Sequence, residues 1–130
     1  MRPEMTGFRN RELGGRSERV AADYLRRKGL RILEVNHRCR LGEIDIVARE
    51  GKRVVFVEVK SKGGHAYGRP EEMITTAKRR KLTALALAYL RHRGWRGRPA
   101  RFDVVTILWL PDGQADLKHY RCAFPAEGVW

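Results

Sequence analysis

Residues 41–48 alternate with period two, and so do residues 53–60, with only residues 49–52, including Gly51, between them. Two such runs joined so closely form an antiparallel β-hairpin. The hairpin constrains the fold because a third strand does not follow directly. Residues 61–70, with Gly63, Gly64 and Gly68, read as a loop. Beyond them Met73, Ala77, Leu82, Leu85, Ala88 and Tyr89 recur every three to four positions. That period predicts a long helix from about Pro70, a residue favoured in a helix's first turn, to Arg93. Residues 102–110 then read as a buried strand, 111–113 as a turn and 115–124 as a last strand. A strand, a helix and a strand make a crossover, so the third and fourth strands lie parallel.

Two elements precede the hairpin. Ser17 is a candidate N-cap for a helix over residues 17–28, with Val20, Ala21, Ala22, Tyr24 and Leu25 as its apolar side and Gly29 as its stop. Residues 30–38, carrying Ile32, Leu33 and Val35, form a strand. The order α-β-β-β-α-β-β predicts an α/β fold: a mixed β-sheet flanked by helices. No repeat or linker divides the 130 residues, so one domain is expected.

Composition narrows the partner. The chain carries 28 Lys and Arg against 15 Asp and Glu, a formal charge of +13. At 42% hydrophobic it can bury a core, which excludes a disordered basic tail. Its longest nearly apolar stretches, 83–90 and 104–110, fall far short of the ~20 residues that span a bilayer. The basic N-terminus has no apolar run behind it, so no secretory signal is expected. A soluble cytoplasmic protein with a polyanionic partner follows, nucleic acid ahead of an anionic membrane surface. Cys39 and Cys122 stand apart, and the four histidines lack zinc-ligand spacing, so neither a disulfide framework nor a zinc site is expected.

The scarce acids carry the chemistry. On the third strand Val55, Val57 and Val59 point one way, and Val54, Phe56, Glu58 and Lys60 the other. Glu43 and Asp45 share a face of the neighbouring strand, ~4.8 Å away. Where the two faces coincide, Asp45, Glu58 and Lys60 converge. Two carboxylates and a Lys suit a hard divalent cation such as Mg²⁺, which takes oxygen ligands and keeps water and phosphate for the rest. The chemistry implied is metal-assisted hydrolysis of a phosphodiester, with the Lys orienting water or neutralising charge on phosphorus. Glu18 lies on the stripe of Ala21, Ala22 and Leu25, either as an edge charge or as a third acid brought to the sheet.

Residues 42–47 (Gly-Glu-Ile-Asp-Ile-Val) and 55–60 (Val-Phe-Val-Glu-Val-Lys) resemble the PD-(D/E)xK nuclease core, with Asp45 as the first acid, Glu58 and Lys60 as the E-x-K, and Ile44 at the motif's proline. The wider pattern is similar to the YraN family of bacterial proteins, which resembles archaeal Holliday junction resolvases. It comprises Gly15, Glu18, Ala21, Tyr24 and Leu25, then Asn36 and Arg38, residues 42–45 and 56–60, Lys78, residues 101–105, and Ala123 and Phe124. The likeness covers residues 12–124 or so. It implies a restriction-endonuclease-like fold and Mg²⁺-dependent endonuclease activity on DNA, branched DNA included, with Mn²⁺ as a substitute ion. It also implies that Glu18, Asp45 and Glu58 hold metal, that Lys60 completes the catalytic set, and that the chain acts as a homodimer.

Other residues keep two readings. Glu43 serves the site or pairs with an arginine; Asn36 and Arg38 contact phosphate or tie strands together. Lys78, Arg79 and Lys81 belong to a basic cluster expected to bind nucleic acid, because residues 77–101 contain no acid. Trp95 either stacks on a base or packs. Asp103 is expected to pair with Arg101, and His37 and His65 to lie on the surface or in loops. The alternative function is a nucleic-acid-binding module that keeps the nuclease fold without hydrolysing anything.

Overall fold

A computed structural model of the chain describes the backbone of residues 3–63 and 74–126 and the side chains of 15–61 and 74–126. The elements are α1 (Pro3–Arg27), β1 (Arg31–Cys39), β2 (Gly42–Glu50), β3 (Arg53–Gly63), α2 (Thr76–Arg93), β4 (Ala100–Trp109) and β5 (Ala115–Phe124). The order is the expected one. The five strands lie in sequence order, antiparallel throughout except for the parallel pair β3–β4 that the α2 crossover requires.

The sheet is covered on both faces. Ala21, Ala22 and Leu25 of α1 pack on Ile46, Ala48, Val55, Val57, Val105 and Ile107. Leu82, Leu85, Ala86, Tyr89 and Leu90 of α2 pack on Ile44, Val47, Val54, Phe56, Phe102 and Val104. Val54 and Phe56 thus face α2 while Val55 and Val57 face α1, as their alternation predicts. Among the described residues no helix is long and apolar enough to cross a membrane.

Both helix starts differ from the sequence reading. Ser17 is no N-cap: α1 begins at Pro3, and Ser17 is a buried residue within it. A serine caps only where the helix has exposed amides to satisfy, and here earlier turns already occupy them. The second helix is capped by Thr75, whose hydroxyl accepts the Lys78 amide at 3.2 Å. Pro70, Met73 and His65 lie outside the described residues. Gly94 ends α2 in the left-handed region at φ 71°, a conformation that glycine adopts without strain.

One irregularity shapes the site. Ile44 packs toward α2 and Ile46 toward α1, although residues two apart on a regular strand share a face. The neighbouring strand switches at the same level: Val35 packs toward α1, whereas His37 meets the Tyr89 ring edge-on. Between the pairs Val35↔Ile46 and His37↔Ile44 sits Asn36 at φ 58°, a left-handed conformation that asparagine tolerates better than most residues. The turn of the backbone there reverses the faces. His37 is consequently a half-buried strand residue paired with Glu34 at 3.2 Å, not the surface or loop residue expected.

Candidate functional site

The β2–β3 ladder runs from Glu50↔Arg53 to Ile46↔Val57. Past it, Asp45 Oδ2 accepts the Val59 amide at 2.8 Å, so a side chain takes a donor that would otherwise serve the ladder. That bond anchors Asp45 against β3. Glu58, the preceding residue on β3, is nine-tenths buried beside it.

Glu18 reaches the same place from α1. Glu18, Glu43 and Asp45 each offer a carboxylate oxygen, and these atoms all lie within 4.8 Å of one another. Glu58 falls outside that set; its Oε1 stands 3.9 Å from the Lys78 Nζ. Two oxygens, Glu18 Oε2 and Glu58 Oε2, are buried with no donor among the described residues. Buried carboxylate oxygens normally find donors, so these two stand out.

The electrostatics follow from the crowding. Burial, then the charges of Asp45 and Glu43, push the Glu18 carboxyl up to about 7. Burial, then Asp45, push Glu58 up to about 7, with Lys78 and Lys60 opposing. Burial also raises Asp45, against the Val59 hydrogen bond. Neighbouring acids in a partly dry site resist ionising together.

A sign follows for stability. Below about pH 4.5 both the folded and unfolded chains hold these protons; between about 4.5 and 7 the folded chain binds more of them. Stability therefore falls as pH rises through that window. Thermal melts in chelator are expected to give a lower Tm at about pH 8 than at about pH 5, with Glu58→Gln flattening the slope. A slope unchanged by that substitution would contradict the crowding.

The basic residues divide. Arg38 is exposed, with its Nε 3.7 Å from Glu43 Oε2, and Lys78 is half-exposed beside Glu58. Lys81 lies across Gly42, where a Cβ would come within 2.9 Å of its Cε; at φ 142° only glycine sits there without strain. Arg38 and Lys78 stand against the acids, and Lys81 lies against Gly42, next to Glu43 in sequence. Arg79 turns elsewhere: its Nε donates to the Ile74 carbonyl at 3.0 Å and its guanidinium lies over the Phe124 ring. Trp95 packs beneath the guanidiniums of Arg93 and Arg98, at 5.0 and 4.7 Å. Asn36 enters through the strand geometry described above.

The sequence anticipated the Arg101–Asp103 pair but not its extent. Asp103 accepts from Arg101 Nε at 3.0 Å, from the Cys122 amide at 3.0 Å and from His119 Nε2 at 2.7 Å. Burial opposes its charge, yet these hydrogen bonds hold its carboxyl below the usual range. Glu50 binds Arg101 and Arg121 at the edge of the same network. The acid's place in a strand of apolar residues was the available signal; its β5 partner required the register.

Fold and site together define an α/β protein with a carboxylate cluster where β2 and β3 part, closed on one side by α1. The chain belongs to the uncharacterised protein family UPF0102, the YraN family, whose sequence model matches residues 17–107. It is similar to UPF0102 proteins of Pelotomaculum thermopropionicum (45% identity, 86% of this chain and 94% of the relative) and Geobacter sulfurreducens (45%, 88% and 90%). A UPF0102 protein of Renibacterium salmoninarum is 46% identical over 85% of this chain and 93% of its own length.

Proposed function

We propose that this chain is a cytoplasmic Mg²⁺-dependent endodeoxyribonuclease that hydrolyses phosphodiester bonds in DNA, including branched, Holliday-junction-like DNA. The observation that carries the reading is the pair of buried, donor-less carboxylate oxygens, Glu18 Oε2 and Glu58 Oε2, in residues that both feel the charge of Asp45, in a chain of charge +13. A hard cation satisfies such oxygens, and carboxylates are the ligands it selects. Glu18, Asp45 and Glu58 would hold Mg²⁺, with Mn²⁺ as a substitute. The ion's chemistry there is to polarise a phosphoryl oxygen and to acidify a bound water.

The chain's own groups do the remainder. Asp45 is fixed by the Val59 amide, so its ligand oxygen keeps one position. Lys60, one residue beyond Val59, acts on Glu58 with its charge, and would orient the attacking water and offset charge on phosphorus. Arg38 and Lys78 beside the acids, with Lys81 against Gly42, would supply cations for the flanking phosphates. A homodimer would present two such sites for symmetric cuts on two strands.

Asp45→Ala is expected to reduce Mg²⁺-dependent cleavage by on the order of 10³-fold or more, while DNA affinity changes little. Single-turnover cleavage beside a gel-shift titration measures both. Full cleavage by this variant would overturn the assignment.

A further inference from the structure

We propose that the arginine-lined cleft at the far end of α2 binds an unpaired nucleotide of the nucleic acid that the chain engages. The inference rests on the nucleic-acid-binding part of the reading above and adds the strand structure it takes. A cleft of about 550 Å³ opens where α2 ends and β4 begins, with Leu87, Leu90 and Pro99 on its apolar side and Arg91, Arg96 and Arg98 as its cations. It is remote from the acids. Ala100, part of its lining, pairs with Val54, four residues before Glu58 on β3, or ~13 Å along the strand. No acid lines the cleft, and among the described residues none of the three arginines forms an ion pair. Neighbouring Arg93, by contrast, is held by Glu34 at 3.3 Å.

A helix C-terminus attracts cations, which accounts for Arg91 in the last turn but not for the other two. Arg96 and Arg98 stand beyond the helix, where the Gly94 and Trp95 amides already serve the carbonyls of Leu90 and Arg91. The loop that carries them is fixed. Gly97 at φ 89° makes a turn closed by the Arg98 amide on the Trp95 carbonyl at 3.0 Å, and the Pro99 carbonyl accepts the Val54 amide at 2.9 Å. The Arg98 guanidinium lies over the Trp95 ring at 4.7 Å, which leaves its N–H edge for an anion. Guanidiniums without a counter-charge suit phosphate, and an apolar wall suits the face of a base. A duplex keeps its bases stacked inside and offers this surface only its phosphates, so the apolar side of the cleft points to an unpaired nucleotide.

The test is fluorescence anisotropy of a labelled oligothymidylate and of a labelled blunt duplex, with the full-length chain in chelator so that binding is read without cleavage. Arg91→Ala/Arg96→Ala is expected to weaken single-strand binding about 10-fold or more, and duplex binding by no more than about 3-fold. The single-strand salt slope should flatten by about 1.4, two phosphate contacts' worth. Arg27→Ala/Arg31→Ala, two exposed arginines where α1 leads into β1, removes the same charge and should leave single-strand binding within about 3-fold. Leu87→Glu, which sets an acid against the arginines, reads the cleft a second way and should also weaken the single strand selectively. Unchanged binding in both cleft variants, or equal losses for the two substrates or in the control pair, would overturn the inference and leave the nuclease reading standing. Displacement by polyglutamate as effective as by unlabelled oligothymidylate would overturn it too, assigning the cleft to acidic protein. Cleft-dependent single-strand binding by a chain that cuts no DNA in Mg²⁺ would overturn the nuclease reading and leave this inference standing.

Discussion

Asp103→Ala is expected to destabilise the chain by about 3–5 kcal/mol, because it strips the counter-charge from groups that stay buried. Asp103 is fully buried, and its three donors come from β4 and from two positions on β5. Without the carboxylate, the Arg101 guanidinium keeps only Glu50, and the His119 Nε2 and the Cys122 amide lose their acceptor. A buried group deprived of its partner bears its full desolvation cost. Cys122 sits at φ 51°, beside a register shift between Phe102 and Val104, so the carboxylate also holds an unfavourable backbone turn in place. Urea unfolding at neutral pH measures the loss. A change below about 1 kcal/mol would mean that the network contributes little beyond its exposed pairs.

Lys60→Ala is expected to lower the single-turnover cleavage rate by about 10²- to 10⁴-fold, the range associated with a positioned proton-transfer group. Lys60 is a half-buried residue of β3 and its charge reaches Glu58, so its effect concentrates at the acids instead of spreading over the basic surface. Removing one cation of 28 should alter DNA affinity only slightly. Mn²⁺ binding should also persist, since the carboxylates remain. The discriminating pattern is a rate loss at saturating protein with an almost unchanged gel-shift midpoint. A parallel loss of affinity, with the saturated rate intact, would assign Lys60 to DNA binding.

Much of this arrangement was legible in the sequence, for local reasons. Alternation over 53–60 separated Val55 and Val57 from Val54 and Phe56, and the two sets do face opposite helices. The crossover rule supplied the parallel β3–β4 pair. Glu18 shared the stripe of Ala21, Ala22 and Leu25, and a helix packed on that stripe carries Glu18 to the sheet. What escaped was set by the backbone and by distant partners. No period reveals that Asn36 turns left-handed and reverses the faces of β1 and β2, yet that reversal lets Asp45 bind the Val59 amide. The count of ligands escaped for the same reason. The sequence read Glu58 as a metal ligand and left Glu43 open between the site and an arginine pair, yet among the described residues it is Glu43 whose carboxylate joins those of Glu18 and Asp45 within 4.8 Å. Arg79 read as one more cation in a basic run. Its contacts with Ile74 and Phe124 depend on where β5 ends, which spacing along α2 does not encode.

The basic surface and the acid cluster make separable contributions. Arg38 and Lys78 stand beside the carboxylates and Lys81 lies against Gly42, so under the proposed function phosphate attraction and hydrolysis would fall to neighbouring groups. Binding should weaken steeply with salt, because each neutralised phosphate releases counterions. Cleavage at saturating protein should depend on the divalent ion and on the acids.

The most direct measurement is cleavage of linear, single-stranded, flapped and four-way DNA by the wild-type chain in Mg²⁺, in Mn²⁺ and in chelator, beside Asp45→Ala. The expected result is cut product from at least the branched substrates with either ion, none in chelator and none from the variant. Tight, salt-sensitive binding to every substrate with no product under any metal condition would contradict the account and leave a nucleic-acid-binding module on the same fold.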